Sequence, residues 1–165
     1  MGREGIGQYL YMMDQAFDSS DGWHSLMKNV EAVRDDDWGW VPEGGKRSIA
    51  RIVRHCGARY MYANHMFGDR AMTWATIPPP PALSDHAGMI AWVREAFREM
   101  RDGVAALTDD AELSLLRESP FESEPGAGAP WRQAETRWLI TVMIQHDLYH
   151  AGEINHIRAL RQAND

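Results

Sequence analysis

From Trp138 to Leu160 the chain can place apolar side chains on nearly every side of a helix, so the rest of the sequence must supply cover for it. With Leu139 set at 0° and each residue advancing 100°, Val142, Met143, Ile157, Leu160 and Arg161 fall within about 60° of it. Ile140, Ile144 and Leu148 lie on the far side. A helix of this kind is expected to be buried by other helices or by a second subunit. The same projection puts His146 and His150 within about 20° of Leu139 and Glu153 about 40° to one side. Residues four apart share a helix face, so the two imidazoles are neighbours. Inside an apolar stripe they cost desolvation energy unless something pairs with them.

The elements that would provide the cover are also helical. Apolar residues at 6, 9, 10, 13 and 17 predict a helix over Ile6–Phe17, broken by the turn-forming run from Asp18 to Gly22. A second helix is predicted from Trp23 to Val33, followed by a loop from Trp38 to Gly45 that contains Pro42 and two glycines. Ser48 caps or opens a long helix through about Phe67. Pro78 to Pro81 form an extended connector. Ser84 is the expected cap of another long helix to about Leu107, and a short helical piece follows from Asp109 to Arg117. Pro120 to Pro130 is a long loop, and the last helix runs from Trp131 or Arg132 to about Gln162. No repeat and no credible strand pairing is visible. Long amphipathic helices joined by loops predict an all-α bundle, and 165 residues predict a single domain over 1–165.

Composition narrows the function classes. A formal net charge of -7 with no standout Lys/Arg cluster disfavours nucleic-acid binding through phosphate neutralisation. The longest apolar run, Trp138 to Ile144, is far short of a membrane span, and Met1 to Asp14 lacks the basic and apolar regions of a signal peptide. The single cysteine, Cys56, excludes an intrachain disulfide and fits a reducing compartment, so a cytoplasmic protein is expected. Cys56 points into its helix's core stripe and reads as a small buried hydrophobe. The methionine patches read as packing, and Trp23, Trp38 and Trp40 read as core or as the lining of a cavity mouth.

A catalytic metal site usually takes three protein ligands and keeps a further position open. On the Ser48–Phe67 helix the core stripe is Ile49, Ile52, Val53, Cys56, Tyr60 and Ala63. His55 sits at its edge, whereas His65 projects roughly opposite. His156 is about 80° off the core direction of the last helix. His24 and His86 lie near predicted helix starts, where exposed capping explains them. His55 is therefore the candidate third partner of His146 and His150, the competing reading being core histidines bonded to hydroxyls and carboxylates. Glu153 reads equally as an outer group orienting a histidine's second nitrogen, as a fourth ligand, or as a core acceptor.

The pattern Arg47-Ser48-Ile49-Ala50-Arg51-Ile52-Val53-Arg54-His55, a long gap, then His146-Asp147-Leu148-Tyr149-His150-Ala151-Gly152-Glu153-Ile154 resembles the DinB/YfiT-like metalloenzyme superfamily. Trp23-His24, Gly68-Asp69, Trp74 and the Trp131 helix start also fit its pattern. The resemblance implies a four-helix bundle with long connecting loops, and a divalent metal, Zn or Ni, held by His55, His146 and His150.

It further implies a small-thiol-dependent S-transferase, in which a low-molecular-weight thiol binds as thiolate and attacks a small electrophile. A metal-dependent hydrolase is the close variant, and a non-catalytic metal- or ligand-binding bundle is the third reading. A thiol carrying carboxylates would want a cationic anchor, for which Arg59, one turn from His55, is the candidate. No nucleic-acid or membrane partner is expected, and the apolarity of the last helix permits a homodimer.

Overall fold

The computed structural model describes residues 2–19, 24–63, 79–118 and 133–162. Helix α1 is Glu4–Asp18, α2 Leu26–Glu31, α3 Asp35–Trp38, α4 Ile49–Ala63, α5 His86–Ala105 and α6 Thr136–Gln162. A 3-10 turn, Asp110–Ser114, precedes strand β1 (Leu116–Glu118), which pairs with β2 (Gln133–Glu135). Trp23, His65, Met66, Phe67, Gly68, Asp69, Trp74, Pro78, the Pro120–Pro130 segment and Trp131 lie outside the described residues.

The four long helices close a ring. α4 packs on α5 and α6, α1 packs on the same two from the opposite side, and α2 adds cover to α1 and α6. This all-α bundle is the architecture that the periodicity predicts. Its interior is a continuous apolar cluster with Ile6, Met13 and Phe17 from α1 and Ile52, Val53 and Tyr60 from α4. Met89, Val93 and Met100 come from α5, and Leu139, Met143 and Ile154 from α6. Phe17 and Phe97 stack with centroids 3.8 Å apart, and Tyr60 meets both rings edge-on at 5.7 and 5.5 Å. Edge-on contacts such as the two made by Tyr60 each add about 0.5–1.5 kcal/mol beyond area burial.

Several boundaries differ from expectation, each for a local reason. Asp85, not Ser84, caps α5, its carboxylate accepting the Gly88 N–H at 2.8 Å. Ser48 does cap α4, its hydroxyl accepting from the Arg51 N–H at 3.4 Å. The predicted loop from Trp38 is preceded by one helical turn, α3, stapled by Asp37 to Arg34 (2.8 and 3.1 Å) and to Arg161 of α6 (3.1 Å). The predicted helical piece Asp109–Arg117 is instead a 3-10 turn followed by a strand. Against the expectation of no strand pairing, β1 and β2 are antiparallel with Leu116 opposite Glu135, Arg117 opposite Ala134 and Glu118 opposite Gln133. Three-residue strands of mixed polarity are too short for an alternating pattern to reveal. The consequence is that α6 begins at Thr136, whose hydroxyl donates to the Leu115 carbonyl at 3.1 Å.

α6 is not covered all round. Its buried positions include Leu139, Met143, Asp147, His150, Ile154 and Ile157. They average about 50° round from Leu139, toward Asp147. Trp138, Leu148 and Tyr149 are 50%, 46% and 65% exposed. The rotation leaves His146 and Glu153 at the rim of the stripe, half-buried. Among the described residues no helix is long and apolar enough to cross a membrane.

A Cβ at Gly57 would lie 2.1 Å from the Trp92 ring. Gly57→Ala should therefore lower stability by about 1–3 kcal/mol, overpacking outweighing the gain of about 1 kcal/mol in helix propensity. In a Trp92→Leu background the sign should reverse, which paired denaturant titrations would read. Asp110 accepts the N–H groups of Gly5 and Ile6 at 3.0 and 2.9 Å, serving as a cap for α1 from across the chain. Those bonds hold its carboxyl below the usual carboxylate range. A lowered folded pKa gives stability that is complete above the unfolded value and lost as pH falls through the folded one. Asp110→Asn should thus lower the neutral plateau of the stability–pH curve and leave its acid end little changed, flattening the acid limb, as denaturant titrations at stepped pH would read.

Candidate metal centre

His55 comes from the middle of α4, and His146 and His150 come from one face of α6. α4 and α6 run antiparallel, as three successive pairings show: Arg47 with Glu153, His55 with the two α6 histidines, and Tyr60 with Asp147. Nε2 of His146 lies 3.0 Å from Nε2 of His55 and 3.1 Å from Nε2 of His150. The rings are not stacked but fanned, with interplanar angles of 45°, 76° and 77°. Among the described residues these three are the group whose donor atoms lie within 4.8 Å of one another.

Protonation decides what such a cluster can do. Burial lowers the pKa of all three imidazoles, and each is lowered further by neighbouring positive charge. His55 falls to about 4 and His146 to about 3. For His150 the Glu153 carboxylate opposes the shift, which remains downward. At neutral pH the rings are therefore uncharged, the form that binds metals.

His150 Nδ1 is 2.8 Å from a Glu153 oxygen. A carboxylate only accepts, so the His150 proton sits on Nδ1 and Nε2 turns a lone pair inward. The Nε2 of His146 touches both other Nε2 atoms, yet one N–H can satisfy only one of them well. The protein alone therefore leaves lone pairs facing each other at about 3 Å. A cation between them removes that conflict, and the spacings of 3.0 and 3.1 Å fall a few tenths of an ångström short of the roughly 3.3–3.4 Å that two bonds of about 2.0–2.1 Å subtend at a tetrahedral centre, within reach of a small side-chain shift. The donor set fits a divalent metal ion.

The surroundings hold this geometry. Glu153 also accepts from Arg47 at 3.0 Å, so a cation fixes the carboxylate that fixes His150. On the core side, the Tyr60 hydroxyl donates to Asp147, both being buried. Burial pushes the Asp147 carboxyl up to about 8, against the opposing pull of Tyr60, so most of it is the uncharged acid at neutral pH. Cys56 is fully buried and its thiol is raised by burial first and by the charges of Asp147 and Glu153 next. It is packing material, as the core stripe predicts.

The other described histidines stay away. His24 and His156 are exposed. His86 is not exposed as expected; it stacks on Trp38 with centroids 4.0 Å apart and bonds Asp35 at 2.8 Å. Trp38 is buried and Trp40 half-buried beneath Arg161, 5.6 Å from its ring. An apolar groove lined by Tyr11, Met12, Ile144 and Leu148 takes in none of the three clustered histidines.

Sequence reading passed over Arg47, Tyr60 and Asp147 as parts of the site. The one signal available for Asp147 was its position, an acid inside the most apolar segment of the chain. Arg47 gave none, because it lies outside α4 and its partner is 106 residues away.

Removing the outer group should loosen the cluster without unfolding it. Glu153→Ala is expected to weaken divalent-metal affinity about 10- to 100-fold, and Arg47→Gln by less, at unchanged helix content. Competition with a chromophoric chelator reads the affinities, and circular dichroism reads the fold.

Comparison with known proteins gives one kinship. No curated protein and no solved structure gives a match. Residues 20–154, however, match the DinB superfamily. That stretch takes in α4 and both α6 histidines, and on the strength of a match over most of its length the chain belongs to the DinB superfamily.

Proposed function

We propose that the protein is a metal-dependent enzyme in which His55, His146 and His150 hold one divalent ion, Zn or Ni, and that it transfers a small thiol to an electrophile. The observation that carries the metal is the convergence of three neutral Nε2 atoms, with the second nitrogen of one of them tied to Glu153. When bound, a divalent ion lowers the pKa of a coordinating thiol and so supplies a thiolate at neutral pH. The thiol as reactant is supported by kinship with the superfamily and by the resemblance of the histidine pattern to its thiol-using members.

The residues have separate tasks in this reading. His55, His146 and His150 present lone pairs and, being uncharged, leave the ion's charge uncompensated. Glu153 keeps the proton on His150 Nδ1, and Arg47 keeps Glu153 in place. The Tyr60–Asp147 hydrogen bond holds α4 and α6 in register. In the transfer the thiol gives its proton to solvent, its sulfur forms the new bond to the electrophilic carbon, and the leaving group departs with the old bonding pair.

Metal content decides the first half. Protein purified without a chelating resin and reconstituted with Zn or Ni should hold about one equivalent, and His150→Ala should lose most of it while staying helical. Less than about a tenth of an equivalent in the wild type would overturn the metal site. For the second half, glutathione, bacillithiol and mycothiol are offered with a model electrophile. At least one should react faster with the metal-loaded protein than with the stripped protein, and equal rates for all three would overturn the transferase.

A further inference from the structure

The chain is rich in charged residues, yet one long surface of it carries none. Between Arg137 and Glu153 the only Asp, Glu, Lys or Arg on α6 is Asp147, and that side chain is buried. The outward side of α6 presents Trp138, Gln145, Leu148 and Tyr149, with Gly152 and His156 beyond them, all exposed. Tyr11 of α1 is exposed next to this strip, on the groove of about 450 Å³ that it lines with Leu148. By contrast α5 exposes Glu95, Arg98 and Asp102. Copies of a chain of net charge -7 repel one another, and they do so least where an uncharged face meets its like.

Two features identify what covers this face. Gly152 lies inside a 27-residue helix, where glycine is less favourable than alanine. A Cβ there would meet nothing within 4 Å, so its own chain does not call for a glycine. Close approach of a large group from outside does. The second feature is the order of sizes along the strip. Trp138, Gln145 and Gly152 are seven residues apart, so they drift only about 20° per step and form one seam. Antiparallel pairing of this seam with itself, about a two-fold axis at Gln145, sets Trp138 level with Gly152 of the second copy. The same register sets Thr141 level with the second copy's Tyr149, and Val142 with its Leu148. Each larger side chain meets a smaller one, and the two Gln145 amides, each both donor and acceptor, meet on the axis.

The size is adequate. Trp138, Tyr149 and Tyr11 are 50%, 65% and 63% exposed. They alone hold about 350 Å² of aromatic surface, nearly half of the ~800 Å² that each partner buries in a standard interface.

We propose that the protein pairs with a second copy of itself through this uncharged α6 face, the two α6 helices antiparallel, Gln145 on the two-fold axis and Trp138 seated over Gly152 of the second copy. The pairing does not depend on the metal reading, but it touches the same region. Tyr149 lies in the interface, and its ring meets that of His150 edge-on, with centroids 5.0 Å apart. The second copy therefore walls one side of the candidate centre.

Sedimentation equilibrium of the full chain, run with and without added zinc so that loss of the metal site leaves it readable, should show a dimer at micromolar concentration. Gly152→Leu, which favours the helix of the single chain, should weaken association about tenfold or more at unchanged helix content. Arg98→Gln on α5 should leave association intact. Register is read by mild oxidation: Gln145→Cys should link two copies through a disulfide, because the residue meets itself on the axis, whereas Glu95→Cys on α5 should not. Cys56 is buried and adds no background. A wild type that stays monomeric at tens of micromolar, an undisturbed dimer in Gly152→Leu, or a Gln145→Cys protein that links no better than Glu95→Cys would each overturn the inference.

Discussion

Everything in this protein that bears on chemistry depends on the axial register between α4 and α6. One helix supplies one imidazole and the other supplies two, so a slip by a single turn, about 5.4 Å, would leave no three nitrogens in contact. Two polar pairings fix that register from either side of the histidines. The Arg47–Glu153 ion pair lies on the solvent side, where its own contribution to stability is small. The Tyr60–Asp147 hydrogen bond lies in the core, where removing one partner would strand a buried polar group. The weak pairing orients and the strong one anchors. Both pairings lie beside the three histidines and tie together the segments that carry them.

The electrostatics of the region are arranged around neutral groups. Burial makes the imidazoles poor bases, and it makes the Asp147 acid reluctant to ionise. Charges that remain are on arginines at the periphery and on Glu153. A site built this way runs from an ion-paired rim through neutral donors to an apolar floor. That order suits a positive ion only because the donors are lone pairs and not protons, which is what the Glu153 contact on His150 secures.

Much of the bundle was legible in the sequence because period and punctuation are local. Apolar spacing located α1, α4, α5 and α6, and prolines and glycines marked the breaks. The short α3 turn and the β1–β2 pair were not legible, since elements of three or four residues carry too little pattern. For α6 the difficulty was different. A helix apolar on most sides does not declare which side faces inward, and the answer came from the neighbours that pack on it. The true stripe is turned toward Asp147, a residue that its charge would assign to solvent. His55 was readable as an edge residue of its own helix. Arg47 was not readable as its ally, because that contact exists only after two distant segments meet.

The buried cysteine gives this arrangement a consequence for handling as well as for chemistry. Cys56 adjoins a proposed ligand, has no accessible surface and holds its proton tightly. Small thiols and their disulfides form mixed disulfides at accessible, ionised sulfurs. Here that sulfur reacts only when α4 parts from its neighbours. Its rate of labelling is therefore a clock for opening of the bundle at the site, built into the chain at the one position where such a clock is most informative.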